Sequence, residues 1–135
     1  MARRTIAIGD IHGCAKALAT LIEAIDPTED DVLVPLGDYV DRGPQSREVV
    51  DQLIELVDRC QLIPLLGNHE SMMLSSLESS EVYDHWCRVG GRETVDSYGG
   101  SLDGLPFEHT VFLRGLKRHY ETDTHLFVHA NYDAT

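Results

Sequence analysis

The sequence predicts an α/β fold with a parallel sheet and right-handed crossovers. Three observations carry this reading. Short apolar runs begin near Arg4, Val32 and Leu62, and each ends in a polar loop containing glycine. Each loop leads into a stretch whose apolar residues recur at helical spacing. The strand–loop–helix unit repeats about every 30 residues, the size of a βαβ unit, so the chain returns to its sheet by a right-handed crossover.

The elements follow in order. Arg4-Thr5-Ile6-Ala7-Ile8 reads as a first strand, apolar enough to be buried on both faces. Residues 14–24 read as a helix with Ala17, Leu18, Leu21, Ile22 and Ile25 on one face and Lys16 and Glu23 off it. A turn at 27–30 precedes the second strand, Val32-Leu33-Val34-Pro35-Leu36. Ser46 is placed to cap a helix running to about 59, with Val49, Val50, Leu53, Ile54 and Val57 inward. A third strand over 62–66 leads to a helix through Met72, Met73 and Leu77.

Beyond Ser79 the pattern weakens. A helix over 81–89 is interrupted by Gly90-Gly91, and a short one over 92–98 ends at Gly99-Gly100. Residues 106–113 form a further helix with Phe107, Val111 and Phe112 inward. The segments 119–121 and 126–128 pair as a hairpin around Thr122-Asp123-Thr124.

Composition narrows the function. A chain of 135 residues with 42% hydrophobic content suits one globular domain, residues 1–135. No apolar run reaches the length of a membrane span, and Met1-Ala2-Arg3-Arg4 leads straight into a strand instead of a signal-peptide core. A net charge of −12 argues against a sequence-independent grip on nucleic acid. Cys14, Cys60 and Cys87 match no zinc or redox spacing and read as reduced thiols of a cytoplasmic protein.

The chemistry lies in the loops. Gly37-Asp38-Tyr39-Val40-Asp41-Arg42-Gly43 puts two carboxylates and a guanidinium at the end of the second strand. Carboxylates there can hold hard or borderline metal ions, and an arginine can take phosphate in a bidentate grip. Alone, the stretch reads equally well as a polar turn with an internal ion pair. Its neighbours change that. Asp10 and His12 end the first strand, two apart and roughly 7 Å apart at the backbone, so their side chains can converge on one ion. Asn68 follows the third strand, and His129 closes the last one. In open α/β sheets all such loops meet at one rim. Two ions about 3.5–4 Å apart at that rim would polarise a phosphoryl group and generate hydroxide. His125 and His129 stand roughly 13 Å apart along a strand, too far to share an ion. His85, His109, His119 and His125 read as surface or packing residues.

Taken together, Gly9-Asp10-Ile11-His12-Gly13, the loop from Gly37 to Gly43, and Gly67-Asn68-His69-Glu70 resemble the calcineurin-like metallophosphoesterases. Within them the chain is similar to the bacterial serine/threonine phosphoprotein phosphatases, and Val128-His129-Ala130 matches the later histidine motif. Glu70 favours that branch over the diadenosine tetraphosphate hydrolases, which more often carry aspartate there. The resemblance implies the N-terminal βαβαβ half of a layered sandwich, followed by a helical segment and a hairpin. It implies one metal at Asp10, His12 and Asp38 and a second at Asp38, Asn68 and His129. Manganese is the expected ion, with iron or zinc as alternatives. His69 would be the general acid, paired with Asp41, whose carboxylate stabilises imidazolium. Arg42 and Asn68 would face the phosphate, and a metal-bridging hydroxide would attack phosphorus in line.

The family closes its second metal site with a further histidine beyond the Val-His-Ala strand, and this chain stops at Thr135 without one. The expectation is therefore a domain incomplete at its C-terminus. The expected function is metal-dependent hydrolysis of a phosphoprotein or small phosphoester. The alternatives are dinucleoside polyphosphate hydrolysis or an inactive metal-binding remnant. An exposed sheet edge would invite self-association.

Overall fold

The computed structural model describes residues 3–130. Strands β1 (Thr5–Ile8), β2 (Val32–Pro35) and β3 (Gln61–Leu62) are parallel and lie in the order β1-β2-β3. Helices α1 (Ala15–Ile25) and α2 (Ser46–Leu56) form the crossovers. Helices α3 (Asn68–Ser76), α4 (Ser80–Trp86), α5 (Arg92–Ser97) and α6 (Phe107–Arg114) follow. The antiparallel hairpin of β4 (His119–Glu121) and β5 (Leu126–Val128) comes last. This is the mixed α/β architecture that the repeat predicts. Among the described residues, no helix is long and apolar enough to cross a membrane.

The central strand sets the layers. All of β2 is buried, and its side chains alternate between faces. Leu33 packs into the larger core with Leu18, Val49, Val50 and Leu53 from the crossover helices. Val32 and Val34 pack instead with Ile63 and Leu65, under Tyr120 and Phe127 of the hairpin. Each fully buried aliphatic side chain is worth about 1.5–3 kcal/mol, so an apolar residue at every position is what a two-faced strand requires.

Several expectations need correction. β1 is not buried on both faces: Thr5 and Ala7 are exposed, while Ile8 is buried. The hairpin stands over β2 and β3, leaving an open cleft of about 570 Å³ bounded by Thr5, Ala7, His125 and Phe127. β3 is shorter than 62–66 because Pro64 has no N–H to extend the ladder outward. Ile63 and Leu65 still donate to Leu33 and Pro35 at 2.9 Å, and Leu65 bridges in parallel to Lys117.

Helix faces also shift. Ala17 and Leu21 of α1 are exposed. α2 ends at Leu56, and the residues after it close with tighter bonds, Val57 to Ile54 and Asp58 to Glu55, which turn Val57 outward. On α6 Phe112 packs on the core beside Tyr39 as expected, but the other two expected positions do not. Phe107 and Val111 are 79% and 54% exposed, while His109 and Leu113 are buried. His109 can be buried because Tyr98 Oη lies 2.8 Å from its Nδ1 and Asp51 Oδ1 lies 2.6 Å from its Nε2. Leu126, at 43% exposed, leaves the outer face of β5 uncovered.

Candidate active site

The three loops converge at the carboxyl ends of β1, β2 and β3. The first is stitched to the second by its backbone: Ile11 and His12 donate to Asp38 O at 3.0 and 2.9 Å, and Gly13 donates to Tyr39 O at 2.8 Å. The second loop takes an unusual path. Asp38, Asp41 and Arg42 all have positive φ, at 59°, 77° and 69°. Such backbone costs of order 1–3 kcal/mol per residue and persists only where its surroundings over-determine it. Glu70 is the main support. Its carboxylate accepts N–H bonds from Asp38 (2.7 Å), Tyr39 (2.8 Å), Val40 (3.2 Å) and Gly67 (3.1 Å). Burial pushes Glu70 up to about 7, while these amide donors favour its ionised form. Gly37 completes the fit, because a Cβ there would lie 2.8 Å from the His129 ring and 2.7 Å from Gly67.

Asp38 lies at the centre. Its Oδ1 accepts the His69 backbone N–H at 3.1 Å, and its Oδ2 faces His129 Nε2 at 3.2 Å and His12 Nε2 at 3.7 Å. Asp10 Oδ2 approaches the same His12 nitrogen at 3.6 Å. Asn68 Oδ1 lies 2.9 Å from His129 Nε2. Both rings are oriented from behind, His12 Nδ1 by Val40 O at 3.0 Å and His129 Nδ1 by Leu36 O at 2.8 Å. Carbonyl oxygens only accept, so Nδ1 carries the proton of each neutral ring and Nε2 presents a lone pair. Two lone pairs aimed at one carboxylate repel unless a cation lies between them. This donor set, imidazole nitrogen with carboxylate and amide oxygen, therefore fits divalent manganese, iron or zinc.

Asp10 and Asp38 thus meet at His12 Nε2, and Asp38 and Asn68 meet at His129 Nε2, and two further groupings overlap these. Ligand atoms of His12, Asp38 and His69 lie within 4.8 Å of one another, as do those of Asp10, Asp38 and His129. Asp38 is common to both sets. His69 stands beside the cluster in another way, with its Nδ1 2.7 Å from Asp41 Oδ2 and its ring edge-on to His12 at 5.0 Å. Asp41 is fully buried and its oxygens are saturated: Trp86 Nε1 donates to Oδ2 at 2.6 Å and Thr94 Oγ1 to Oδ1 at 2.8 Å. Burial pushes Asp41 above the usual carboxylate range, and the donors Thr94, His69 and Trp86 pull it back.

Arg42 is exposed, and its guanidinium has no hydrogen-bond or ion-pair partner among the described residues. Only its backbone is held, by an N–H bond to Gly90 O at 2.9 Å. The structure thus brings Asp10, His12, Asp38, Asn68, His69, Asp41 and His129 to one rim, with Arg42 at its edge.

Four contributors had no role in the sequence reading of the site. Ser46 does not cap α2; it is buried inside the helix and accepts the Asp41 N–H at 3.1 Å. Thr94 and Trp86 reach Asp41 from far along the chain, with no spacing signal. Glu70 alone had one, since a glycine followed three residues later by glutamate is a helix-start pattern.

The pattern of the calcineurin-like phosphoesterase family matches residues 3–133, nearly the whole sequence. The chain belongs to that family. Among curated relatives, a symmetrical bis(5'-nucleosyl)-tetraphosphatase of Janthinobacterium sp. is 31% identical over 93% of this chain and 43% of its own length. Serine/threonine-protein phosphatase 2 of Salmonella typhimurium is 34% identical over 62% of this chain and 37% of its own length. A solved phosphatase from Saccharomyces cerevisiae, described as similar to human PP5, superposes with a TM-score of 0.57 at 20% identity, covering 88% of this chain and 38% of that one. This calcineurin-like chain spans less than half the length of the curated relatives it matches.

Proposed function

We propose that this chain carries the metal-dependent phosphomonoesterase centre of a calcineurin-like phosphoesterase, acting on phosphoserine or phosphothreonine in proteins. One observation carries the reading: two backbone-oriented imidazole lone pairs aim at the buried Asp38 carboxylate, beside a separate Asp41–His69 pair.

Asp10, His12, Asp38, Asn68 and His129 would hold two divalent ions, manganese by preference. Such ions supply Lewis acidity at phosphoryl oxygens and lower the pKa of bound water. The chain's own residues do the rest. Arg42, unpaired and exposed, grips non-bridging phosphate oxygens, and the Asn68 amide borders the same space. As water oxygen bonds to phosphorus, the P–O ester bond breaks on the opposite side. The departing oxygen takes a proton from Nε2 of the protonated His69, and Asp41 holds the resulting neutral ring through Nδ1; of the attacking water's two protons, one stays on phosphate and the other restores His69. The products are the free alcohol and inorganic phosphate.

A second reading is favoured by the relative matched over 93% of this chain, named as a tetraphosphatase. In it the same centre cleaves a dinucleoside polyphosphate, with a phosphate as leaving group. A phosphopeptide and diadenosine tetraphosphate, each incubated with manganese or with chelator, separate the two readings. Manganese-dependent phosphate release from the peptide is the expected result. Cleavage of the dinucleotide alone establishes the second reading. No turnover, with manganese bound, marks an inactive remnant.

A further inference from the structure

Helices α4 and α5 reach the site only through Trp86 and Thr94, which bond to Asp41. They are joined by a kinked turn, Cys87–Gly91, where Gly90 has φ 120°. That turn lies against the second loop: Gly90 O takes the Arg42 N–H, and Gly91 lies so close to the Trp86 indole that a Cβ there would collide with it. Trp86 is the last residue of α4, fully buried, with the Tyr83 ring edge-on at 6.1 Å. A buried indole needs a partner for its one N–H. Main-chain carbonyls could have served, but the partner is the Asp41 oxygen that also holds His69.

We propose that Trp86 is a positioning residue for the general acid, fixing the Asp41 carboxylate so that Oδ2 faces His69 Nδ1. This rests on the role proposed above for His69. The geometry leaves Asp41 little freedom. Oδ1 is taken by Thr94, Oδ2 by Trp86 and His69, and the Asp41 backbone N–H by Thr94 and Ser46. Removing the indole donor leaves Oδ2 held by His69 alone, so the carboxylate loosens about the Thr94 bond and the His69 ring is directed less sharply. Purely structural packing would demand only the ring. The proposal demands the N–H.

The sequence contains one tryptophan, so its indole N–H gives a single, unambiguous NMR resonance. In the parent that resonance should lie downfield of free indole and exchange slowly with solvent, and both Asp41→Asn and His69→Asn should move it. Turnover supplies the second arm. Trp86→Phe should lower kcat for an alkyl phosphate by roughly 10-fold, the loss of one charged hydrogen bond, with KM and metal content unchanged. For a nitrophenyl phosphate, whose leaving group hardly needs a proton, the loss should be under about 2-fold. Thr94→Val should repeat the pattern and Thr94→Ser restore it, which keeps the test alive if Trp86→Phe fails to fold. An indole resonance at the free value, or equal losses on both substrates, overturns the proposal. A parent inert on both phosphates overturns the proposed function, whereas an active parent indifferent to Trp86→Phe overturns the positioning role alone.

Discussion

Asp38 and Asp41 are the same residue type in the same loop, both with left-handed backbone, yet they occupy opposite halves of the site. Asp38 turns Oδ2 toward the Nε2 lone pairs of His12 and His129, an arrangement that calls for a cation between them. Asp41 faces inward into a ring of donors, His69, Trp86 and Thr94, and lacks nothing. The difference teaches that burial alone does not assign a carboxylate's job. What surrounds its oxygens does: acceptors around it mean a metal, and donors around it mean a fixed orienting group.

The strongest way to break this contrast is Asp38→Ala. If Asp38 serves both ions, manganese binding by calorimetry should weaken at both sites together, and turnover should fall roughly 10³-fold or more. A variant that still binds two ions as the parent does would show that Asp38 is not shared. His69→Asn probes the other half. Turnover should fall by about 10²–10⁴-fold while metal content, measured by elemental analysis, stays at the parent level. Loss of an ion would move His69 into the metal half, as its proximity to His12 and Asp38 permits. The smallest effect on chemistry belongs to Glu70→Gln, which sits behind both halves. It replaces one acceptor oxygen with an amide that opposes the loop N–H groups, so urea unfolding should show a loss of about 1.5–3 kcal/mol. Metal affinity should drop with it, because Asp38 is held on the same strut. Unchanged stability would mean that the loop keeps its shape without Glu70.

The metal half was the more legible. Asp10, His12, Asp38, Asn68 and His129 stand in short motifs at strand ends, and strand periodicity brings such ends to one rim. The acid half was legible only as a pair implied by resemblance. Trp86 and Thr94 act on Asp41 across 45 and 53 residues, from two helices that the sequence located but whose facing it did not reveal. On α6 two of the three expected inward positions, Phe107 and Val111, failed for a related reason. Apolar spacing favoured Phe107 and Val111, but a histidine whose two nitrogens are both partnered is as buriable as leucine. Pro64 carried its own signal, a missing donor in the third strand, and it shortened β3 accordingly.

The strut from Glu70 also has a bearing on how the protein is made. Its bonds to Asp38, Tyr39 and Val40 span 30 to 32 residues, and no nearer acceptor offers those amides the same service. During synthesis, a chain that has emerged only through Gly43 possesses every atom of the second loop but not its shape. The left-handed turns can lock only when the third strand and α3 have docked, and Asp41 is sealed later still, when Trp86 and Thr94 arrive. The shape of the site is thus acquired late, with the docking of segments that follow the second loop in the chain.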